Sequence, residues 1–169
     1  LEPNFPALEE GDYTMVLIPD TQHLVNSHVD GYYDLMKWIA DNKAERNIVA
    51  AMSMGDMIQR NSDAAYIEAE YKICVEGTQY LTAAGIPWMP MMGNHDYERI
   101  DYFRKAFPYE EYGSNRSWFG GSYYKDNLDH TYWFVTAGER EYMILSLGYA
   151  PSQAVLDWAA GIVEEYPDK

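Results

Sequence analysis

Three apolar, strand-like runs in this chain each end in a short acidic or amide turn, and that repetition restricts the fold more than any other feature. Thr14-Met15-Val16-Leu17-Ile18-Pro19 runs into Asp20, and Ile48-Val49-Ala50-Ala51-Met52-Ser53-Met54 runs into Gly55-Asp56. Trp88-Met89-Pro90-Met91-Met92 runs into Gly93-Asn94-His95-Asp96. Short apolar runs of this kind read as buried strands. Helical spacing separates them. Tyr32, Leu35, Met36, Ile39, Ala40 and Lys43 mark a helix from about Gly31 to Arg46. Ile67, Tyr71, Cys74, Thr78 and Leu81 mark a longer one over residues 63–84, stopped by Gly85. The order β-α-β-α-β implies a parallel sheet with right-handed crossovers. Parallel neighbours put their carboxyl ends on one edge, where α/β proteins bind ligands. Asp20, Asp56, Asn94 and His95 are therefore expected together. Hard oxygen ligands with an imidazole suit divalent metals such as Mn, Fe or Zn.

The residues at these strand ends have distinct chemical uses. A carboxylate shared by two cations has to sit on a tight turn, and Gly55 before Asp56 permits one without a Cβ in the way. Gly93 does the same for Asn94, whose carbonyl oxygen is a moderate metal ligand. His95, one residue on, points differently and is better placed to meet a substrate oxygen. Asp96 is expected to orient that imidazole and favour its protonated form. The plainer alternative is that Asp20 and Asp56 only cap turns. Three strand ends carrying the same kind of residue argue against it.

Beyond Asp96 the pattern changes. Tyr102 to Phe107 reads as a short helix closed by Pro108, and residues 109–121 as a polar, aromatic loop. Ser122 to Lys125, Thr131 to Thr136 and Glu141 to Leu147 read as strands, with turns at Asp126-Asn127 and Gly138-Glu139. A last helix begins at Pro151, carries Val155, Trp158, Ala159, Ile162 and Val163 on one face, and ends near Tyr166-Pro167. The expected class is thus α/β: a parallel β-α-β-α-β half followed by a mostly antiparallel strand group. Residues 1–12 read as a lead-in segment. Trp118, Phe119, Tyr123, Tyr124, Tyr132 and Trp133 are read mainly as packing of the second sheet. His28 and His130 are read as exposed loop histidines. Arg60, Asn61 and Arg99 follow the motifs closely enough to meet a phosphate, though solvated charge is the safer reading.

Composition narrows the partners. The 169 residues fit one domain with a real core, and a 47% hydrophobic content excludes disorder as the default. The net charge of −15 repels nucleic-acid backbones and anionic membranes, so neither is an expected partner. It also repels a phosphate substrate unless metals invert the local potential. The single cysteine, Cys74, lies on an apolar helix face and reads as a buried thiol. Composition leaves localisation open, with acidity and aromatic content leaning toward an exported bacterial protein.

Asp20, Gly55-Asp56 and Gly93-Asn94-His95-Asp96, in this order and spacing, resemble the calcineurin-like metallophosphoesterases. The resemblance runs from about residue 13 to 169. It includes Tyr142-Met143-Ile144-Leu145-Ser146-Leu147 and Val155-Leu156-Asp157-Trp158, which look like the strand and helix that usually follow. It implies a helix-flanked β-sandwich with two divalent metal ions at its edge, and a metal-bound hydroxide that cleaves a phosphate ester. Asp20 would bind the first metal, Asp56 would bridge, Asn94 would bind the second, and His95 would assist the leaving group. The family usually has Asp-any-His at its first motif, whereas this chain reads Asp20-Thr21-Gln22-His23. Either Gln22 supplies an oxygen ligand or His23 takes over. On an extended segment the two point opposite ways, and register favours Gln22.

The family's later histidine motifs are absent up to Lys169. The chain is therefore expected to be a C-terminally incomplete domain over 13–169, binding metal weakly on its own, with little activity. It is also expected to self-associate through an open sheet edge. The alternative reading is a non-catalytic module on a degenerate phosphoesterase fold, binding a carbohydrate or protein through the aromatic segment 109–133.

Overall fold

The computed structural model describes residues 6–59 and 62–169. The readings of Arg60 and Asn61, and of the first five residues of the lead-in segment, lie outside the described residues. Strands β1 (Thr14–Ile18), β2 (Ile48–Ser53) and β3 (Trp88–Met89) form a parallel sheet in the order β1-β2-β3. β2 is the central strand and is almost wholly buried, which is why it reads as an unbroken apolar run. β3 pairs over two residues only. Pro90 follows at once and has no N–H to extend the ladder.

Helices α1 (Gln22–Ser27) and α2 (Val29–Asp41) connect β1 to β2, and α3 (Ala64–Ala83) connects β2 to β3. Strand order follows chain order, so right-handed crossovers put α2 and α3 on one face of the sheet, where they pack together. α2 buries Tyr32, Met36 and Ile39. It ends earlier than the periodicity predicts, and the chain turns over residues 42–47 before Asn47 takes a left-handed conformation at φ 44°. α3 is fixed at both ends. Asp63 accepts a bond from the Ala65 N–H at its start. At its end the N–H groups of Gly85 and Ile86 return to the carbonyls of Thr82 and Leu81, with Gly85 at φ 65°.

The second half carries an antiparallel sheet, β4 (Phe119–Ser122), β5 (His130–Ala137) and β6 (Arg140–Leu147), in chain order. The strand predicted over 122–125 is displaced to 119–122, inside the segment read as a loop. Gly120 and Gly121 look like breakers in the sequence. Here they lie under the Tyr132 ring of β5, where a side chain on either would strike that ring. The same segment holds a π-helical turn over Glu110–Ser114. Short helices α4 (Asn94–Tyr97) and α5 (Ile100–Ala106) precede it, and α6 (Gln153–Glu165) closes the described chain.

One apolar cluster joins the two sheets, running from Ala50, Ala51 and Met89 to Trp133 and Val135 of β5. Its aromatic part sets Trp88, Phe103, Phe107 and Tyr112 against one another at centroid distances of 5.2 to 6.0 Å. Phe119 and Trp133 pack at 5.1 Å, and Tyr132 reaches Trp158 of α6 at 6.1 Å. Most of the segment's rings are therefore packed. The architecture is the α/β one expected: a parallel three-strand half and an antiparallel three-strand half. Among the described residues no helix is long and apolar enough to cross a membrane.

Candidate metal centre

The carboxyl edge of the parallel sheet brings the three strand-end motifs into direct contact. The Thr21 N–H donates to the Asp56 carbonyl at 3.2 Å, and the Met54 N–H donates to Ile18 at 2.9 Å, so the first two motifs are laced together. The His95 N–H donates to Asp56 Oδ1 at 2.8 Å, which ties in the third.

The two glycine turns meet back to back. A Cβ on Gly55 would stand 2.6 Å from the Gly93 Cα and 2.8 Å from the Met92 carbonyl carbon. One on Gly93 would stand 2.6 Å from the Asp56 Cγ. Both positions therefore exclude any side chain. Gly55 has φ 87° and Asp56 φ 51°. Two successive left-handed residues at a strand end turn the Asp56 side chain out of the sheet, and Asp is among the few residues that accept that conformation.

Each candidate ligand has a definite setting. Asp20 is exposed and accepts the Gln22 N–H at 2.9 Å and the Gln22 Nε2–H at 3.0 Å. The capping role considered for both aspartates is thus present at Asp20, but a carboxylate has about four acceptor positions and capping uses only part of them. Gln22 opens α1, so the alternation that would oppose it to His23 on an extended segment does not apply. Its Oε1 is buried and has no hydrogen-bond partner among the described residues. Asp56, Asn94 and His95 are half-buried. His23 and His28 are exposed, whereas His130 is not: it opens β5, is buried, and its Nδ1 accepts the Gly148 N–H at 3.1 Å. Burial lowers its pKa. The reading of His130 as an exposed loop residue is corrected by that strand position. Arg99 donates to the Glu98 carbonyl at 2.8 Å.

Asp96 lies beneath the turns and is fully buried. Its carboxylate accepts the Gly93 N–H at 3.0 Å, the Met57 N–H at 3.2 Å and the Tyr71 hydroxyl at 3.1 Å. One side chain thereby clamps the residue after Asp56 to the residue before Asn94. Burial raises its pKa to about 6 against the pull of those three donors, with the charge of Asp56 adding to the rise.

Two further residues of α3 support the edge: Tyr71, read from the sequence only as part of the helix's apolar face, and Glu70, not singled out there. Tyr71 holds Asp96. Glu70, buried beside it, accepts Asn26 Nδ2–H at 2.8 Å and the Gln59 N–H at 2.9 Å, joining α1 to the loop after Asp56. A signal existed: Glu70 falls three residues after Ile67 and four before Cys74, a charge on the apolar face. Cys74 itself is buried and burial raises its pKa, as a structural thiol requires.

Among the described residues no three His, Cys, Asp or Glu side chains gather as a metal site would. The candidate set has only two carboxylates, and Gln22 and Asn94 would add amide oxygens. Residues 13–162 match the calcineurin-like phosphoesterase family. The chain belongs to that family. It is a family of phosphoester hydrolases for which divalent metals are general. The chain is also 28% identical over 161 residues to the uncharacterized protein YvnB of Bacillus subtilis (strain 168), a match covering 93% of this chain and 12% of that protein. The chain thus spans a small part of its relative's length.

Proposed function

We propose that the protein hydrolyses a phosphate ester with two divalent metal ions held by Asp20, Gln22, Asp56 and Asn94. The observation that carries the proposal is the contact between the Gly55-Asp56 and Gly93-Asn94 turns, packed so closely that neither glycine tolerates a Cβ. Such a contact keeps a carboxylate and an amide beside each other at the sheet edge. The orphaned Gln22 Oε1 fits the same use, because a buried acceptor without a donor is costly unless a cation meets it. All four donors are hard oxygens, suited to Mn²⁺ or similar ions.

Bound divalent ions supply acidity for the attacking water and positive charge for the phosphoryl oxygens. The chain's own residues do the rest. Asp56 would be the ligand shared by the two ions, with Asp20 serving the first and Asn94 the second. Asp96 and Tyr71 hold the two turns in register from below. His95 is hung from Asp56 by its own N–H. When protonated, it gives a proton to the leaving alcohol oxygen as the phosphorus–oxygen bond breaks and water's oxygen takes its place. A chain of net charge −15 has no other obvious means of attracting a phosphate.

The test is cleavage of p-nitrophenyl phosphate and of its bis ester by the protein at its natural length, with Mn²⁺ and with chelator. Activity should depend on the metal. Asp56→Asn and His95→Ala should each lower the rate by about a hundredfold or more. Unchanged rates in either variant would sink the role given to that residue.

A further inference from the structure

We propose that Tyr97 and Tyr149 form an aromatic subsite at the rim of the candidate metal centre, and that the ester cleaved there carries an aromatic ring. The proposal rests on the phosphoesterase reading and adds the substrate class.

The two rings are 51% and 52% exposed, with centroids 6.2 Å apart and planes tilted by 57°. Both are suspended from the same turn. The Tyr97 N–H donates to the Gly93 carbonyl at 3.0 Å, and the Tyr149 N–H donates to the Met92 carbonyl at 3.0 Å. The residues that follow Gly93 are Asn94 and His95. Tyr97 stands three positions after Asn94 on α4, so the two share a helix face. Tyr149 comes from the opposite half of the molecule, just after β6, and Ala150 behind it is held left-handed at φ 49°. Two elements distant in sequence thus deliver half-exposed rings to the backbone that positions the ligands.

The exposed Tyr80 and Tyr124 lack that setting. Tyr80 sits near the end of α3, at the far edge of the sheet, against Tyr33. Tyr124 packs against Tyr123. Rings that meet at a tilt accept a further ring in the same edge-to-face manner. An acidic chain offers a phosphate ester little attraction away from the metals, so an apolar contact for the organic part of the ester is the complementary source of binding.

The experiment uses the Mn²⁺-loaded protein at its natural length and two non-hydrolysable probes, phenylphosphonate and methylphosphonate, titrated by calorimetry. Wild type should bind the phenyl probe about tenfold more tightly. Tyr97→Ala with Tyr149→Ala should abolish that preference and leave methylphosphonate affinity within about twofold. The double Tyr→Phe variant keeps both rings and should retain the preference, which also guards against a misfolded alanine variant. Equal affinity of wild type for the two probes overturns the subsite, as does a preference that survives both alanines or is lost in the phenylalanine variant. Tighter binding of the non-hydrolysable phosphonate analogue of glucose 6-phosphate than of phenylphosphonate overturns the aromatic class. Failure of the wild type to cleave either p-nitrophenyl phosphate or its bis ester removes the phosphoesterase reading and the subsite with it. Cleavage without any ring preference removes the subsite alone.

Discussion

Replacing Asp96 by alanine should destabilise the metal-free protein, and should do so more in mild acid than at neutral pH. The carboxylate is fully buried and serves three donors: the Gly93 and Met57 N–H groups and the Tyr71 hydroxyl. Truncation strands all three, at about 1–3 kcal/mol each. Against this stands the penalty the wild type bears for holding a charge out of water. Burial lifts the carboxyl pKa from 3.8 to about 6. A raised carboxyl pKa means that folding favours the protonated form. The contribution is therefore complete below about pH 4 and is lost as the pH climbs through about 6. Between about pH 4.5 and about pH 7.5 the linkage relation gives a change of about 2 kcal/mol from this group. The alanine variant lacks the group, so its deficit against wild type should be about 2 kcal/mol larger near pH 4.5 than near pH 7.5. Urea unfolding at both pH values, with chelator present, measures the two deficits. Asp96→Asn should lose the pH term yet keep most of the bonding, because the Tyr71 hydroxyl can turn to accept from the amide. An equal deficit at both pH values, or a larger one at neutral pH, would refute the reasoning.

Gly93→Ala should lower stability by about 2–4 kcal/mol in thermal melts, because the new Cβ meets Asp56 backbone and carboxylate atoms that the His95 bond holds in place. A melt within a degree or two of wild type would show that the turns are not packed as described. Gln22→Ala should weaken Mn²⁺ binding about tenfold in calorimetry while leaving the melting temperature of the chelated protein no lower than that of wild type, since loss of the exposed Nε2–H bond to Asp20 is offset by removing a buried acceptor that no protein group satisfies. Unchanged Mn²⁺ affinity would return Gln22 to a turn residue. Arg104→Ala should cost about 2–4 kcal/mol by denaturant unfolding, because it leaves Asp129, only 3% exposed, without its two-pronged guanidinium partner. Arg104→Lys should recover only part of that loss, and full recovery would argue for simple charge pairing.

The parallel half was legible in the chain because its signals are local. The apolar run of β2, the four- and three-residue steps of α3, and the glycine before Asp56 and before Asn94 depend on neighbours a few positions away. α1 escaped notice because six residues with a single buried one, Val25, leave no periodicity to detect. β4 was expected three residues too late, because Gly120 and Gly121 break strands in general, and only the Tyr132 ring lying over them makes glycine the residue required there. His130 looked like a loop residue until β5 was seen to begin with it.

By itself the sequence determined that three strands would end in ligand-type residues on one edge, and this follows from parallel topology alone. It did not determine what holds that edge together. Asp96 reaches Met57 across 39 positions and Tyr71 across 25, and Glu70 reaches Asn26 across 44. Those pairings arise when α3 packs beneath the turns and removes Glu70 and Asp96 from water. A buried carboxylate must then take whichever donors lie within reach, and only the tertiary structure decides which donors those are.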